Sequence, residues 1–415
     1  MGAAVSLGGI PEYQSLYYFS KKSTSASTEQ FRVQLIACDT APPADSDKVL
    51  VANVIRATCP SLFSAKGERM IPTPSMRDGG TQTIYPVLRT RRRDKHTDIE
   101  YDRETLTMYD GGKVSLDWYP KRPVPTIPLS DVSSTSSSIT IGASTPPIVV
   151  ILPGTFSSSR EYYIRHLAKS LYTRGPNKCH VVVLNHRGCN RTPLTTPRLH
   201  SFDYTGDLQE AVVHLSTLYP CALLAAVGYS LGGNILTKYL GEQGKSCKLS
   251  AAITICCPYD VTKLYAKLDK PSLFNKYVLQ PSLSGRAKAY VKDHIDVIQG
   301  GSRQYDLDGF FASKNVTVMN ALLTAPLSGF ESCEQYYREA SSCAYVPKIS
   351  TPLLAINSKD DPLVPVDAIP INAFKNNPST ALILVDNGGH LGFLTGVVPK
   401  IWYIDPVIQF LSAFL

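Results

Sequence analysis

The 415-residue sequence lacks the features that would place it across a membrane or in the secretory pathway. It contains no run of 18 apolar residues that could span a bilayer. No basic flank precedes an apolar stretch near its N-terminus, which argues against a secretory signal. Its ten cysteines form no C-x-x-C pair and no Cys/His group with zinc spacing, so we predict no metal site. We therefore expect a cytoplasmic protein with reduced thiols.

Charge is also sparse, and this limits the classes of partner. Charged residues make up 18% of the chain, and part of the formal net charge of +8 comes from one run, RTRRRDK at 89–95. No aromatic residues alternate with these basic residues, and no nucleic-acid-binding motif is present, so we predict a solvated linker and no nucleic acid partner. The pattern MGAAVS fits N-myristoylation through Gly2 and Ser6. It leaves peripheral contact with membranes or lipid droplets open.

Length and a hydrophobic content of 43% favour one large domain with appendages. We predict a variable, partly disordered N-terminal segment over 1–54 and the main domain over 55–415. The Ser-rich stretch 126–147 has few large apolar residues and is predicted to be disordered. The regular strand and helix patterns lapse over about 258–347. We interpret this lapse as a cap or lid inserted above one end of a sheet.

From residue 147 onward, short apolar runs alternate with helical patterns. Runs such as IVVILPG (148–154) and CALLAAVGYS (221–230) are apolar throughout, as expected for strands buried on both faces. REYYIRHLAKSLYTRG (160–175) has helical period and ends at a glycine. This order predicts an α/β fold with a mostly parallel sheet flanked by helices.

The first 125 residues are less regular. FRVQLIAC (31–38) predicts a strand, and the rough alternation over 49–60 predicts an extended segment. Proline and glycine punctuate 68–86, which we interpret as a loop. Residues 98–120 predict a hairpin, because apolar and polar residues alternate on either side of a Gly-Gly turn.

The segment AAVGYSLGGNILTKYL (225–240) carries the main chemical signal. It places Ser230 between Gly228 and Gly232, where a predicted strand meets a predicted helix. A strand–turn–helix with this Gly-x-Ser-x-Gly pattern is typical of a nucleophile elbow, which raises the hydroxyl above the sheet. A serine hydroxyl needs a base within hydrogen-bond reach, and an acid must orient that base. We predict Ser230 as the nucleophile.

The base and the acid follow from chain order. In an α/β-hydrolase the acid follows the serine, and the histidine comes last. His390, in NGGHLGF, comes directly after the predicted strand TALILVD and is the predicted base. The acid is predicted to follow PLLAINS, where Asp361 is the first choice and Asp360 a close alternative. Asp260, at the end of the preceding predicted strand, is a more remote candidate.

The other histidines fit the role of base less well. His166 and His214 lie in helical patterns, and His200 lies in a loop before the serine. His186, in NHRG, ends a strand upstream of the nucleophile, where the chain order assigns no base. We interpret His186 as a structural hydrogen-bonding residue.

Acyl transfer also needs donors for the oxyanion of the tetrahedral intermediate. One predicted donor is the backbone N–H of Leu231, immediately after the nucleophile. The other is the backbone N–H of Thr155, in the loop LPGTFSSS after the first buried strand, where Gly154 leaves the backbone accessible.

Several segments together resemble the YheT-like α/β-hydrolases over about 55–415. They are LPGTFSSSREYYIRHLA, VVVLNHRGCNRTPLTTPRLHSFDYTGDLQEAVVHL, AAVGYSLGGNILTKYLGEQG, INSKDDPLVP and NGGHLGF. This group includes fungal medium-chain fatty acid ethyl ester synthase/esterases and animal monoacylglycerol lipase and phospholipase relatives. The resemblance implies a triad of Ser230, Asp361 and His390 and a cofactor-free acyl transfer. Its relatives usually carry a histidine in a G-H-x-Q-T segment, whereas here Thr81 follows Gly80, and this puts the choice of substrate in doubt.

We therefore predict a serine hydrolase or acyltransferase that acts on carboxylic esters of short- to medium-chain acyl groups. Its predicted partners are a lipid-like ester such as an acylglycerol or fatty acid ester, acyl-CoA and an alcohol; we predict no protein partner. A specialised esterase, thioesterase or acyltransferase of a biosynthetic pathway is one alternative, and a non-catalytic ligand-binding homologue is another. The apolar residues predicted in the lid fit acyl binding and core packing equally: Leu273, Phe274, Phe310, Phe311, Leu322 and Leu323.

Overall fold

The computed structural model describes residues 33–38, 50–63, 70, 72–90, 98–125, 145–301 and 303–415. The predictions for the myristoylation pattern, for most of the basic run and for 126–144 of the Ser-rich stretch lie outside the described residues.

A nine-stranded sheet forms the centre of the described chain. Its strands are β1 (Val33–Ala37), β2 (Asp102–Thr107), β3 (Lys113–Tyr119), β4 (Ile148–Leu152), β5 (His180–Asn185), β6 (Leu224–Tyr229), β7 (Ala251–Ile255), β8 (Leu353–Ser358) and β9 (Thr380–Val385). They lie in the order β1-β9-β8-β7-β6-β4-β5-β3-β2. The six strands from β9 to β5 are parallel, whereas β1 at one edge and the β2–β3 hairpin at the other are antiparallel. The predicted mostly parallel sheet is confirmed.

Helices cover the sheet, and a two-stranded ribbon, β10 (Leu394–Thr395) and β11 (Lys400–Ile401), follows β9. The helices before β8 are α1 (Val51–Thr58), α2 (Pro60–Phe63), α3 (Gly79–Thr90), α4 (Tyr162–Arg174), α5 (Gly206–Leu218), α6 (Leu231–Gln243), α7 (Val261–Leu268), α8 (Gln280–Asp293), α9 (Ile295–Gln299), α10 (Leu307–Ala312), α11 (Val316–Met319), α12 (Ala325–Ser328) and α13 (Cys333–Ala340). Two more follow, α14 (Ile371–Asn376) and α15 (Ile404–Ser412). No described helix is long and apolar enough to cross a membrane.

The central strands are apolar on both faces because two separate core layers enclose the sheet. Along β4, Ile148, Val150 and Leu152 belong to one buried cluster, and Val149 and Ile151 belong to the other. Side chains alternate between the faces of a strand, so each face needs its own apolar set. The continuous apolar runs of the sequence follow from this arrangement.

The hairpin predicted over 98–120 is present as β2 and β3. Its turn contains Gly111, with φ of +78°, and the Gly112 N–H donates to Asp110 Oδ1 at 2.9 Å. The strand predicted in FRVQLIAC is also present as β1, which pairs with β9 from Val33 opposite Val385 onward.

Two local predictions were wrong. The segment 49–60 is not extended, because α1 occupies Val51–Thr58. Its buried residues Val51, Ala52 and Ile55 recur at helical spacing and face the core. The predicted loop over 68–86 becomes helical at Gly79, where α3 begins.

The predicted boundary between the N-terminal segment and the main domain, at residue 55, falls inside α1. Strand β1 precedes it and belongs to the sheet. The predicted cap region, about 258–347, contains α7 to α13, all of which lie between β7 and β8 in the chain. Residues of α8, α10 and α11 form a third apolar cluster with Leu194 and Leu199 from the segment after β5.

A buried guanidinium ties three segments together near β5. Arg187 is 1% exposed, and it donates to both carboxylate oxygens of Asp207 in α5, at 2.6 to 3.0 Å. It also donates to both oxygens of Asp110 in the hairpin turn, at 2.7 and 2.9 Å. Bidentate pairs of this kind fix orientation as well as contributing energy. The HRG segment therefore has a structural role in this fold.

We expect Arg187→Leu to lower the free energy of unfolding by about 3–5 kcal/mol, because it leaves two carboxylates without their partner. Arg174→Leu is the matched control: its pair with Asp405 is half-exposed, and its loss is expected to cost less than about 1 kcal/mol. Chemical denaturation of both variants measures the difference. Arg187→Lys, which keeps the charge without the paired contacts, is expected to fall between them. Equal losses at positions 187 and 174 would contradict this interpretation.

Candidate active site

Ser230 lies at the turn between β6 and α6, as the sequence predicted. Its backbone has φ of 51° and ψ of −117°, a conformation that is uncommon for a residue with a side chain. A Cβ on Gly228 would lie 2.5 Å from the Gly232 carbonyl oxygen, and one on Gly232 would lie 2.4 Å from the Leu152 carbonyl oxygen. Larger residues at 228 and 232 would therefore force strand and helix apart. The two glycines allow the turn that lifts the serine hydroxyl out of the sheet.

His390 reaches this serine from the loop after β9. Its Nε2 lies 3.0 Å from Ser230 Oγ, and its Nδ1 lies 2.7 Å from Asp361 Oδ2. The Asp361 carboxylate is fully buried, and the imidazole is 9% exposed. A carboxylate at Nδ1 keeps the proton on that nitrogen and leaves Nε2 free to accept the serine proton. The structure thus brings together the three side chains predicted as nucleophile, base and acid.

The two neighbouring aspartates have different surroundings. Besides contacting His390, Asp361 accepts hydrogen bonds at Oδ1 from the N–H groups of Leu363 and Val364, at 2.8 and 3.0 Å. These bonds fix the carboxylate while Oδ2 faces the imidazole. Geometry therefore favours Asp361 as the orienting acid.

Asp360 instead contacts the backbone of the loop that carries the histidine. Its Oδ1 accepts from the N–H groups of Gly388 and Gly389, both at 2.9 Å, and from the Ser358 hydroxyl. Burial raises the pKa of Asp360 against the opposing effect of these hydrogen bonds. The remote candidate Asp260 caps α7 by accepting from the Lys263 N–H at 3.1 Å.

The two predicted oxyanion donors belong to residues beside the nucleophile. Thr155 and Leu231 line the same cavity as Ser230. Leu231 is the first residue of α6, so its N–H has no partner within the helix. A Cβ on Gly154 would lie 3.3 Å from Ser230 Cβ, which shows how closely the Thr155 loop approaches the serine. Their role as oxyanion donors stays a prediction.

Two stacked histidines hold the Thr155 loop. His186 Nε2 lies 3.0 Å from the Pro153 carbonyl oxygen, which can only accept, so this nitrogen carries the proton. His200 Nε2 accepts from the Phe156 N–H at 3.4 Å. Burial lowers the pKa of His186, and burial together with the neighbouring His186 lowers the pKa of His200 to about 3. Both rings are therefore neutral and act as fixed hydrogen-bonding groups, as interpreted for His186 from the sequence.

The remaining two predicted non-catalytic histidines lie elsewhere. His214 Nε2 contacts Glu104 Oε1 at 3.0 Å, and His166 packs edge-on against Tyr162 with ring centroids 4.8 Å apart.

A cavity opens beside Ser230. Apolar side chains from the segment between β7 and β8 dominate its wall, among them Leu264, Leu268, Leu283, Phe310, Met319 and Leu323. A largely apolar lining with a few polar groups, among them the Ser230 hydroxyl, is typical of a small-molecule site.

The six apolar residues predicted in the lid occupy different places in the structure. Phe310 and Leu323 line the cavity, and Phe311 and Leu322 pack against the third apolar cluster. Leu273 is 77% exposed, and Phe274 lines a second cavity beside Pro362.

The triad region is also where described side chains come close enough to share a metal ion. Ligand atoms of Cys256, Asp361 and His390 lie within 4.8 Å of one another. Burial first, and then the charge of Asp361, raise the pKa of the Cys256 thiol well above its usual range, which disfavours the thiolate that a metal requires. No disulfide joins any of the ten cysteines, all of which lie in the described residues. We interpret this group as the predicted acid and base of the triad with a buried thiol beside them.

Sequence reasoning missed Thr83 and Gln82 in α3. The Thr83 hydroxyl accepts from the His390 N–H at 2.8 Å, and Gln82 Oε1 accepts from the Leu394 N–H at 2.7 Å. A threonine or a glutamine alone does not indicate a functional role in a sequence. The one available signal was the Gln-Thr pair in the segment that resembles G-H-x-Q-T.

The fold and this site together define an α/β-hydrolase. A family model described as the alpha/beta hydrolase fold matches residues 147–397, and the chain belongs to that family. Phospholipase ABHD3 of Homo sapiens is 32% identical over 356 residues, which cover 84% of this chain and 80% of the relative. This match confirms the predicted resemblance, as do two yeast relatives.

The two yeast relatives come from Saccharomyces cerevisiae. Its monoacylglycerol lipase is 28% identical over 389 residues, covering 86% of this chain and 84% of the relative. Its medium-chain fatty acid ethyl ester synthase/esterase 2 is 34% identical over 285 residues, covering 65% and 62%. Relatives named as lipases and esterases support carboxylic ester hydrolysis as the chemistry of this chain.

The two aspartates can be separated by amide substitutions. We expect Asp361→Asn to lower kcat/KM by about 10³–10⁴, because the amide would offer a donor to Nδ1 and favour the wrong tautomer of His390. Asp360→Asn keeps an acceptor for Gly388 and Gly389, so its loss should stay below about tenfold. Steady-state hydrolysis of a p-nitrophenyl ester measures both. A larger loss at position 360 than at 361 would reverse the assignment.

Proposed function

We propose that this chain is a serine esterase that cleaves carboxylic esters of short- to medium-chain acyl groups through an acyl-serine intermediate. One observation carries the proposal: Ser230, His390 and Asp361 form a continuous hydrogen-bonded chain beside an apolar cavity.

In the acylation step, Ser230 Oγ attacks the ester carbonyl carbon while His390 Nε2 takes the hydroxyl proton. Asp361 stabilises the imidazolium that forms. The carbonyl oxygen becomes an oxyanion, for which the N–H groups of Leu231 and Thr155 are the proposed donors. The carbon–oxygen bond to the alcohol then breaks, and Nε2 returns the proton to the departing alcohol oxygen.

In the deacylation step, a second nucleophile attacks the carbonyl carbon of the acyl-serine and Nε2 accepts its proton. The bond between that carbon and Ser230 Oγ then breaks, and Nε2 returns the proton to Oγ. Water gives the free acid, and an alcohol gives a new ester. The yeast relative named as a synthase/esterase supports acyl transfer to an alcohol as a second outcome of the same intermediate. Use of acyl-CoA, of a thioester or of a membrane-bound substrate stays a prediction.

The cavity supports the choice of acyl group. Leucine, phenylalanine, valine and methionine side chains make up most of its wall, and they favour an alkyl chain over a charged group. The name of the yeast monoacylglycerol lipase supports acylglycerols as substrates, and the name of the synthase/esterase supports medium-chain fatty acid esters.

Ser230→Ala decides between catalysis and mere ligand binding. We expect the purified protein to be labelled by a fluorophosphonate probe and to hydrolyse p-nitrophenyl esters, and Ser230→Ala to lose both, because the attacking oxygen is gone. The same assay with added ethanol compares water with an alcohol as acceptor. An intact, folded wild-type protein that neither reacts with the probe nor hydrolyses any ester would support the non-catalytic alternative.

Filling the cavity should shorten the preferred acyl chain. Ala287 in α8 is buried in the cavity wall. We expect Ala287→Phe to lower kcat/KM for p-nitrophenyl esters of long acyl chains by about tenfold or more and to leave hydrolysis of p-nitrophenyl acetate unchanged. Ala289→Phe, on the exposed side of the same helix, is the matched control and should leave the profile unchanged. A p-nitrophenyl ester series measures the profile. If Ala287→Phe and Ala289→Phe had the same dependence of kcat/KM on chain length, the acyl chain would bind outside this part of the cavity.

A further inference from the structure

The loop that carries His390 has no regular secondary structure to fix it. It runs from the end of β9 to β10, and three of its residues have left-handed backbone: Gly389 (φ 57°), Leu391 (φ 70°) and Phe393 (φ 46°). Positive φ is uncommon for leucine and phenylalanine. Such a backbone persists only where its surroundings determine it.

Side chains from other elements hold the backbone of this loop in place. The N–H groups of Gly388 and Gly389 donate to Asp360, and the Leu391 N–H donates to Cys256 Sγ at 3.3 Å. Within the loop, the Phe393 N–H donates to the Gly388 carbonyl at 2.8 Å. Most of the loop's N–H groups are thus satisfied, and largely by acceptors from outside the loop.

Helix α3 provides the acceptor for the backbone N–H of His390. Thr83 Oγ1 accepts from the N–H of His390 itself at 2.8 Å and donates its own proton to the Gly79 carbonyl at 2.5 Å. Because its single proton is committed to Gly79, the hydroxyl presents a lone pair to His390. Four residues before Thr83, at the start of the helix, Gly79 packs so tightly on the acid loop that a Cβ there would lie 2.0 Å from the Asp360 carbonyl oxygen. The first turn of α3 therefore contacts both the acid loop and the base loop.

We propose that Thr83 is a positioning residue for the catalytic base. It holds the backbone of His390 so that Nε2 stays within hydrogen-bond distance of Ser230 Oγ. This inference rests on the proposed function, because it assigns the base to His390. The Thr83 hydroxyl bonds His390 and Gly79, and Thr83 is not among the residues that line the cavity beside Ser230, so we assign it no direct contact with substrate.

The direct test compares Thr83→Val with Thr83→Ser. Valine keeps the size of the side chain and removes the hydroxyl, whereas serine keeps the hydroxyl. A misplacement of about 1 Å can cost about 10²-fold in rate, so we expect Thr83→Val to lower kcat about 10- to 100-fold with KM within about twofold. Thr83→Ser should restore most of kcat. Labelling of Ser230 by a fluorophosphonate probe should slow and recover in parallel.

Thr90→Val is a matched control on the same helix. The Thr90 hydroxyl also bonds the carbonyl four residues earlier, Pro86 at 2.9 Å, and also accepts a backbone N–H from another element, Tyr162 at 2.9 Å. Both threonines are half-buried. The Thr90 hydroxyl also lies 3.0 Å from Oε2 of the buried Glu161, so we expect Thr90→Val to lose at least as much stability as Thr83→Val. It should keep wild-type kcat, because neither Tyr162 nor Glu161 is part of the triad.

The outcomes separate the two proposals. If the wild type reacts, His390→Ala does not, and Thr83→Val matches Thr90→Val in kcat, the positioning role is overturned and the esterase stands. Loss of activity that Thr83→Ser does not restore also overturns it, since packing would then explain the loss. A folded wild type without ester hydrolysis or probe labelling overturns both. Should Thr83→Val be insoluble, Thr83→Ala against Thr83→Ser and Thr90→Ala gives the same comparison.

Discussion

The contact between His390 Nε2 and Ser230 Oγ joins two atoms whose residues are 160 positions apart in the chain. Neither residue can move toward the other without cost. Ser230 is fixed by a turn in which strand and helix nearly touch, and His390 lies in a loop with several left-handed residues. The rest of the fold brings His390 Nε2 and Ser230 Oγ to 3.0 Å from each other.

A parallel sheet meets this requirement because the carboxyl ends of its strands share one edge. The nucleophile follows β6, the acid follows β8 and the base follows β9. The loop with the proposed oxyanion donor Thr155 follows β4, which neighbours β6. The polar groups that support these loops are buried and uncharged where charge would be costly: His186 and His200 remain neutral because burial lowers their pKa.

The sequence predicted the sheet because each central strand is buried on both faces and therefore reads as an unbroken apolar run. It predicted the positions of Ser230 and His390 because chain order and turn residues limit where such groups can lie. It could not separate Asp361 from Asp360, since one residue along a turn reverses which carboxylate faces the imidazole. It also missed α1 and Thr83. The apolar residues of 49–60 fit either period, and a threonine that binds a backbone N–H 307 residues away leaves no local pattern.

That long separation between α3 and the base loop has a consequence for how the protein matures. Contacts between residues so far apart in the chain close only after most of the intervening sequence has collapsed, because the loop-closure entropy precedes the gain from the contact. During synthesis, α3 leaves the ribosome long before its partner loop exists. Turnover of ester would therefore be the last property to appear in a refolding or nascent chain, well after the secondary structure is complete.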